Sequence, residues 1–133
     1  MLEYHLDVER IDEHGSLASV GPAEVVLDTD MNGRDDALSP PELLLAALGA
    51  CMVRAIQRAQ PRLRINISTI SIHLRAWRQD SPPAVATVHY RIELGTDADD
   101  EMLELLHRNV QKGTIFNTVA AGTRMQGEVV SSG

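Results

Sequence analysis

The 133-residue chain carries 19 acidic against 12 basic side chains, a net charge of −7, with a single cysteine. That balance excludes nucleic-acid binding, because phosphate recognition needs a basic face, and the aromatics Tyr4, Trp77, Tyr90 and Phe116 are too dispersed to stack bases. One cysteine also excludes an intrachain disulfide, and the first residues lack the basic end and apolar run of a signal peptide, so the expectation is a cytoplasmic, reducing location. The length suits one domain, residues 1–133, which folds without a metal or other cofactor.

Leu2, Tyr4, Leu6 and Val8 alternate with Glu3, His5, Asp7 and Glu9, the period of a half-buried strand running to about Ile11. Glu13 to Ser16 supplies a turn. The short apolar runs Leu17 to Val20 and Ala23 to Leu27, broken by Gly21-Pro22, continue a small antiparallel meander. Asp28 to Leu38, with Asn32-Gly33, is a loop long enough for a lid or a rim.

The next segment opens a helix with two marks. Ser39 and Glu42 form a capping box, and Pro40 suits the first helical position. No residue from Leu43 to Val53 is charged, so this helix is apolar on every face and is predicted to be buried from all sides. The run is too short for a bilayer, which needs roughly 20 residues, so no membrane partner follows. The helix is predicted to stop before Pro61.

Ile65 to Arg78 alternates with a change of phase that a bulge near Ser68-Thr69 would repair, and Ala84 to Leu94 alternates after a turn at residues 79–83. Together they predict a hairpin. Acids at Asp97 to Glu101 and bases at His107 to Lys112 order themselves as a helix dipole favours, Met102, Leu103, Leu106 and Val110 make one apolar stripe, and Gly113 suits the position after the helix end. Arg124 to Val130 is a final strand. The fold class is thus α+β: a strand meander, a long buried central helix, two long strands, an amphipathic helix and a last strand.

One sheet and one amphipathic helix cannot enclose a helix that is apolar all round, so a homodimer is predicted in which two central helices pack together. Ala46, Ala47, Gly49 and Ala50 are small enough to let a second helix approach around Cys51.

Cys51 is where redox or nucleophilic chemistry would start. Its bland role is a small buried hydrophobe. Its functional role gains from Arg54 and Arg58, three and seven residues on and on the same helix face, since a nearby guanidinium favours the thiolate and a thiolate can be oxidised to a sulfenic acid. Glu42 points away from Cys51 on the helix and lies about 13–14 Å from it along the axis, so within one chain it only caps, and any help it gives Cys51 must cross a dimer interface. His73 and His89, set opposite each other by a turn centred near Ser81, could begin a metal site, but no third ligand stands near and none is assigned. His5, His14 and His107 read as surface positions. There is no phosphate loop or nucleophile elbow.

The segment Ser39-Pro-Pro-Glu-Leu-Leu-Leu-Ala-Ala-Leu-Gly-Ala-Cys51 resembles the helix motif of the OsmC/Ohr superfamily, the osmotically induced and organic-hydroperoxide-resistance proteins, and Gly113 to Val119 resembles part of its second motif. The order of elements agrees over essentially the whole chain. The resemblance implies an interlocked dimer with helices enclosed by sheets, and thiol-peroxidase chemistry on a peroxidatic cysteine, here Cys51. It also implies a second cysteine, whose place Gly113 occupies, an activating glutamate, whose place after Pro40 holds Pro41 with Glu42 one step later, and an arginine in the meander, for which Arg10 is the candidate. Two functions follow as expectations. One is a one-cysteine organic hydroperoxide reductase in oxidative stress response, with Cys51 attacking the peroxide, Arg54 or Arg10 holding the thiolate, and an external thiol as reductant. The other is a non-catalytic dimer that binds a small apolar ligand at the subunit interface.

Overall fold

Strands β1 (Asp7–Asp12), β2 (Gly15–Val20) and β3 (Ala23–Asp28) form an antiparallel three-stranded sheet in that order. The computed structural model describes residues 1–133, which divide into two compact units, Met1–Leu44 and Leu45–Gly133. In the first, the Asp12 carboxylate accepts the N–H groups of His14 and Gly15 at 2.8 and 3.1 Å and so closes the β1–β2 turn. The strand predicted from Leu2 begins only at Asp7. The register explains this: Asp7 pairs with Ser19, and β2 turns away at Gly21 (φ +55), so residues 1–6 overhang the end of their partner.

The loop after β3 is fastened along its length, which suits a rim. Buried Asp28 accepts the N–H groups of Asp30 and Arg34 at 3.0 Å each, and its own N–H donates to the Leu38 carbonyl at 2.9 Å. Asp30 Oδ2 lies 2.7 Å from His14 Nδ1, and the Arg34 guanidinium grips both oxygens of Asp36. Hydrogen bonding to His14 holds the Asp30 carboxyl below the usual carboxylate range.

Helix α1 spans Pro40–Leu63, three residues beyond the stop predicted at Pro61. A proline in the last turn forfeits one hydrogen bond to the carbonyl of Gln57, a residue exposed to water, while Leu63 is half-buried and packs on the core. Arg64, at φ 54, ends the helix. Along α1, Leu48, Gly49, Met52, Ala55, Ile56 and Ala59 are buried on one face, whereas Leu44, Ala46, Ala47 and Ala50 are exposed. Gly49 belongs to the covered face, where a Cβ would stand 3.2 Å from Leu74 Cδ1. Its smallness therefore serves close packing on the chain's own sheet and not the approach of a second helix.

The second sheet has the order β4 (Thr69–Asp80), β5 (Pro83–Gly95), β6 (Arg124–Ser131), with β4–β5 antiparallel and β5–β6 parallel. The predicted bulge near Ser68-Thr69 is absent. Strand β4 starts at Thr69, Ile65 and Ile67 reach the core from irregular backbone, and the ladder shifts at Trp77/Arg78 instead. That shift, with a turn whose last pair is Asp80 and Pro83, sets His73 opposite Arg91 and His89 opposite Arg75, so the two imidazoles do not face each other. Val88, Tyr90, Ile92 and Leu94 of β5 are buried against α1 and against the helix α2 (Asp100–Val110) through Leu103, Leu106 and Val110. Asp99 caps α2 by accepting the Met102 N–H at 2.9 Å.

A third helix, α3 (Thr114–Ala120), is not among the predicted elements. Its sequence, Thr-Ile-Phe-Asn-Thr-Val-Ala, is rich in β-branched residues of low helix propensity and has no side-chain cap, so packing of Phe116 and Val119 makes it helical. Gly113 is consequently the N-cap of α3, at φ −71, and not a left-handed residue ending α2. No helix is long and apolar enough to cross a membrane.

Candidate functional site

Cys51 sits about three turns into α1 and is half-buried. Its position follows from the helix phase: Leu48, Met52 and Ala55 point inward, Ala47, Ala50 and Arg54 outward, and Cys51 lies on the boundary. The sulfur meets the α2–α3 junction. A Cβ built on Gly113 would stand 2.5 Å from Cys51 Sγ, so the thiol occupies the space that any side chain at position 113 would need. Gly113 is buried, and its extended backbone is open to any residue; close approach to the sulfur in its present rotamer, not a special φ, is what favours glycine here.

Tyr90 organises the same junction. Its hydroxyl lies 2.7 Å from His107 Nε2 on α2, and its ring meets those of His107 and Phe116 edge-on at centroid distances of 5.6 and 6.0 Å. Burial pushes the His107 imidazole below its ordinary pKa, opposed by Glu104, and pushes the Tyr90 phenol up. The neutral imidazole can thus accept the phenol's proton in a hydrogen bond. His107 is half-buried and is not the surface residue its sequence context indicates. Nothing in the chain marks it beyond the alternation that places Tyr90 on the inner face of β5.

Each of the other sequence-assigned residues has its own local surroundings. Glu42 is held by its own cap: the Ser39 N–H donates to Glu42 Oε1 at 2.9 Å, and the Glu42 N–H faces Ser39 Oγ at 3.5 Å. Those bonds lower the pKa of the Glu42 carboxyl, so its contribution to capping is present above its unfolded pKa and fades as pH falls through the folded value. Ser39→Ala is expected to cost about 0.5–2 kcal/mol in urea unfolding at neutral pH. Arg54 and Arg58 are exposed at the end of the apolar stretch. Arg10 is exposed on β1, where its Nε donates to the Asp12 carbonyl at 3.1 Å. The structure groups no three metal-ligating side chains, and His73 instead lies 3.6 Å from Glu93.

A cysteine-bearing helix packed on a β4–β5–β6 sheet, with a separate strand meander before it, is the architecture of a class of small α+β proteins. An OsmC-like protein of Mycoplasma pneumoniae superposes with a TM-score of 0.86 at 16% identity, covering 98% of this chain and 97% of that one. An organic hydroperoxide resistance protein OsmC of Legionella pneumophila does so at 0.72 and 15%, covering 98% and 99%, and the organic hydroperoxide resistance protein OhrB of Bacillus subtilis at 0.70 and 15%, covering 95% and 98%. At these identities the likeness is one of fold. The chain belongs to the OsmC-like protein family, whose profile matches residues 33–127. No curated protein matches its sequence.

Proposed function

We propose that this chain is a homodimeric, one-cysteine thiol peroxidase that reduces organic hydroperoxides, with residues 1–133 acting as one OsmC-like domain in a reducing, cytoplasmic setting. The observation that carries the reading is the half-buried Cys51 sulfur set directly against Gly113, with no side chain between it and the α2–α3 junction. The Cys51 thiolate attacks the distal oxygen of the hydroperoxide, the O–O bond breaks, and the departing alkoxide takes a proton to leave as an alcohol, giving a Cys51 sulfenic acid. One molecule of an external thiol then condenses with it, releasing water and forming a mixed disulfide. A second, as thiolate, attacks that bond, leaves as the oxidised disulfide of the reductant and returns the Cys51 thiolate. Arg54 or Arg10 supplies the cation that holds the thiolate, and any part taken by Glu42 serves the cysteine of a second subunit. The uncharged stretch from Leu43 to Val53 around Cys51 favours an organic substrate over hydrogen peroxide.

Thiol-dependent turnover of cumene hydroperoxide is expected for the unaltered chain and loss to background for Cys51→Ser, with a sulfenic acid seen by mass on Cys51 before the reductant is added. Turnover that survives Cys51→Ser would sink the reading. The second reading, a non-catalytic dimer holding an apolar ligand, draws on the engagement of Glu42 by Ser39 and on the lack of a thiol at Gly113. It gains if Cys51 is unreactive toward peroxide and has a pKa near or above 8.5.

Dimerisation is supported by the apolar residues Leu44, Ala46, Ala47 and Ala50, which are exposed along α1. Sedimentation equilibrium at micromolar concentration is expected to give twice the chain mass. A clean monomer there would rule the dimer out.

A further inference from the structure

Tyr90 touches both of the helices that meet at Gly113. Through its hydroxyl it holds His107 of α2 at 2.7 Å, and through its ring edge it packs on Phe116 of α3 at 6.0 Å between centroids. The ring has room to do this because Gly127 is its register partner on β6, and a Cβ there would overlap the ring carbons. His107 and Phe116 flank Gly113 on either side in sequence, and a Cβ on Gly113 would lie 3.9 Å from Phe116 Cβ and 2.5 Å from Cys51 Sγ. A contiguous path thus runs from β5 through Tyr90 to the backbone that the sulfur rests on.

We propose that Tyr90 is a positioning residue for Cys51. By tying α2 and α3 to β5 on both sides of their junction it fixes Gly113 against the sulfur, and so sets the rotamer and exposure of the thiol. The His107 acceptor is the polar half of that bracket and Phe116 the apolar half. Loss of the hydrogen bond lets the junction move outward and frees the thiol, while the ring contacts that keep the core filled remain. The inference rests on Cys51 being the reactive group of the proposed peroxidase, but thiol reactivity can be read without a peroxide.

The test is the rate of Cys51 alkylation by iodoacetamide, followed by intact mass on the full chain. The variants are Tyr90→Phe, which keeps the ring, His107→Leu, which removes the acceptor, and His107→Gln, which replaces it. Thermal melts by circular dichroism confirm folding at the assay temperature. Tyr90→Phe and His107→Leu are expected to raise the rate at least about threefold, and His107→Gln to bring it back to within about twofold of the unaltered chain. Equal rates in all four proteins overturn the proposal, as does a His107→Gln rate matching His107→Leu. Should Tyr90→Phe not fold, the comparison of the two His107 variants still decides. If alkylation follows the expected pattern while hydroperoxide turnover is absent, the peroxidase reading fails and the positioning role stands. Turnover without any change in alkylation removes the positioning role alone.

Discussion

Gly113→Cys is expected to turn the chain into one that closes its own disulfide on exposure to a hydroperoxide. The extended backbone at 113 accepts a cysteine without strain, at φ −71 and ψ 153. A Cβ there would stand 2.5 Å from Cys51 Sγ, and adding one carbon–sulfur bond keeps the two β-carbons within about 4.3 Å, inside the disulfide window of about 3.5–4.5 Å. The Cys51 sulfur must rotate a little to admit the new carbon, which a single χ1 torsion permits. Oxidation of Cys51 to the sulfenic acid, then attack by the introduced thiol with release of water, leaves a disulfide between Cys51 and position 113 and a chain lighter by two hydrogens. Intact mass after one equivalent of cumene hydroperoxide, with and without a reductant, measures this. A variant that stays reduced, or that joins only between chains, would show that the junction does not sit against the sulfur.

The largest effect on stability is expected in the core beneath the sheet. Ile56 is fully buried in α1 among residues of β5 and α2, and Ile56→Ala should cost about 2–5 kcal/mol by lost transfer energy and the cavity left behind. Against a total stability of about 5–15 kcal/mol that is a large fraction. Arg58, two residues on and exposed, should tolerate Ala within about 0.5 kcal/mol. Urea unfolding at one fixed protein concentration checks the pair: the midpoint of Ile56→Ala should fall with the slope unchanged.

The sequence makes the local signals plain. Ser39 and Glu42 announce the start of α1, and the capping box is formed; the alternation of Ala84 to Leu94 announces β5; the charge order from Asp97 to Lys112 announces α2. What it misplaces depends on partners. Leu2 to Leu6 alternate like a strand yet lack a neighbour once β2 has turned, and Ile65 and Ile67 keep a strand-like pattern while packing from irregular backbone. The bulge at Trp77/Arg78, which no local pattern marks, moves His89 one place along the ladder, and the two-residue turn between Asp80 and Pro83 moves it one more from the position opposite His73. Helix α3 has no propensity to betray it. As for the candidate site, Cys51 is conspicuous as the one cysteine on an apolar helix, but its contact with Gly113 joins residues far apart in the chain through the packing of three helices. No periodicity encodes that. The resemblance of Gly113 to Val119 to a family motif is the one sign that this stretch bears on Cys51.

The parallel pairing of β5 with β6 sets the order in which this unit comes together. A hairpin such as β4–β5 closes locally, whereas β6 reaches β5 only after α2 and α3 have crossed between them, and that loop entropy is spent before the pairing returns anything. The junction that covers the Cys51 sulfur lies in this crossover. A chain that ends before β6 lacks the pairing that closes this crossover, so its junction is expected to rest less firmly on the sulfur. The last strand thus guards a thiol it does not touch: Cys51 in a chain cut before Arg124 is expected to alkylate faster than in the full chain.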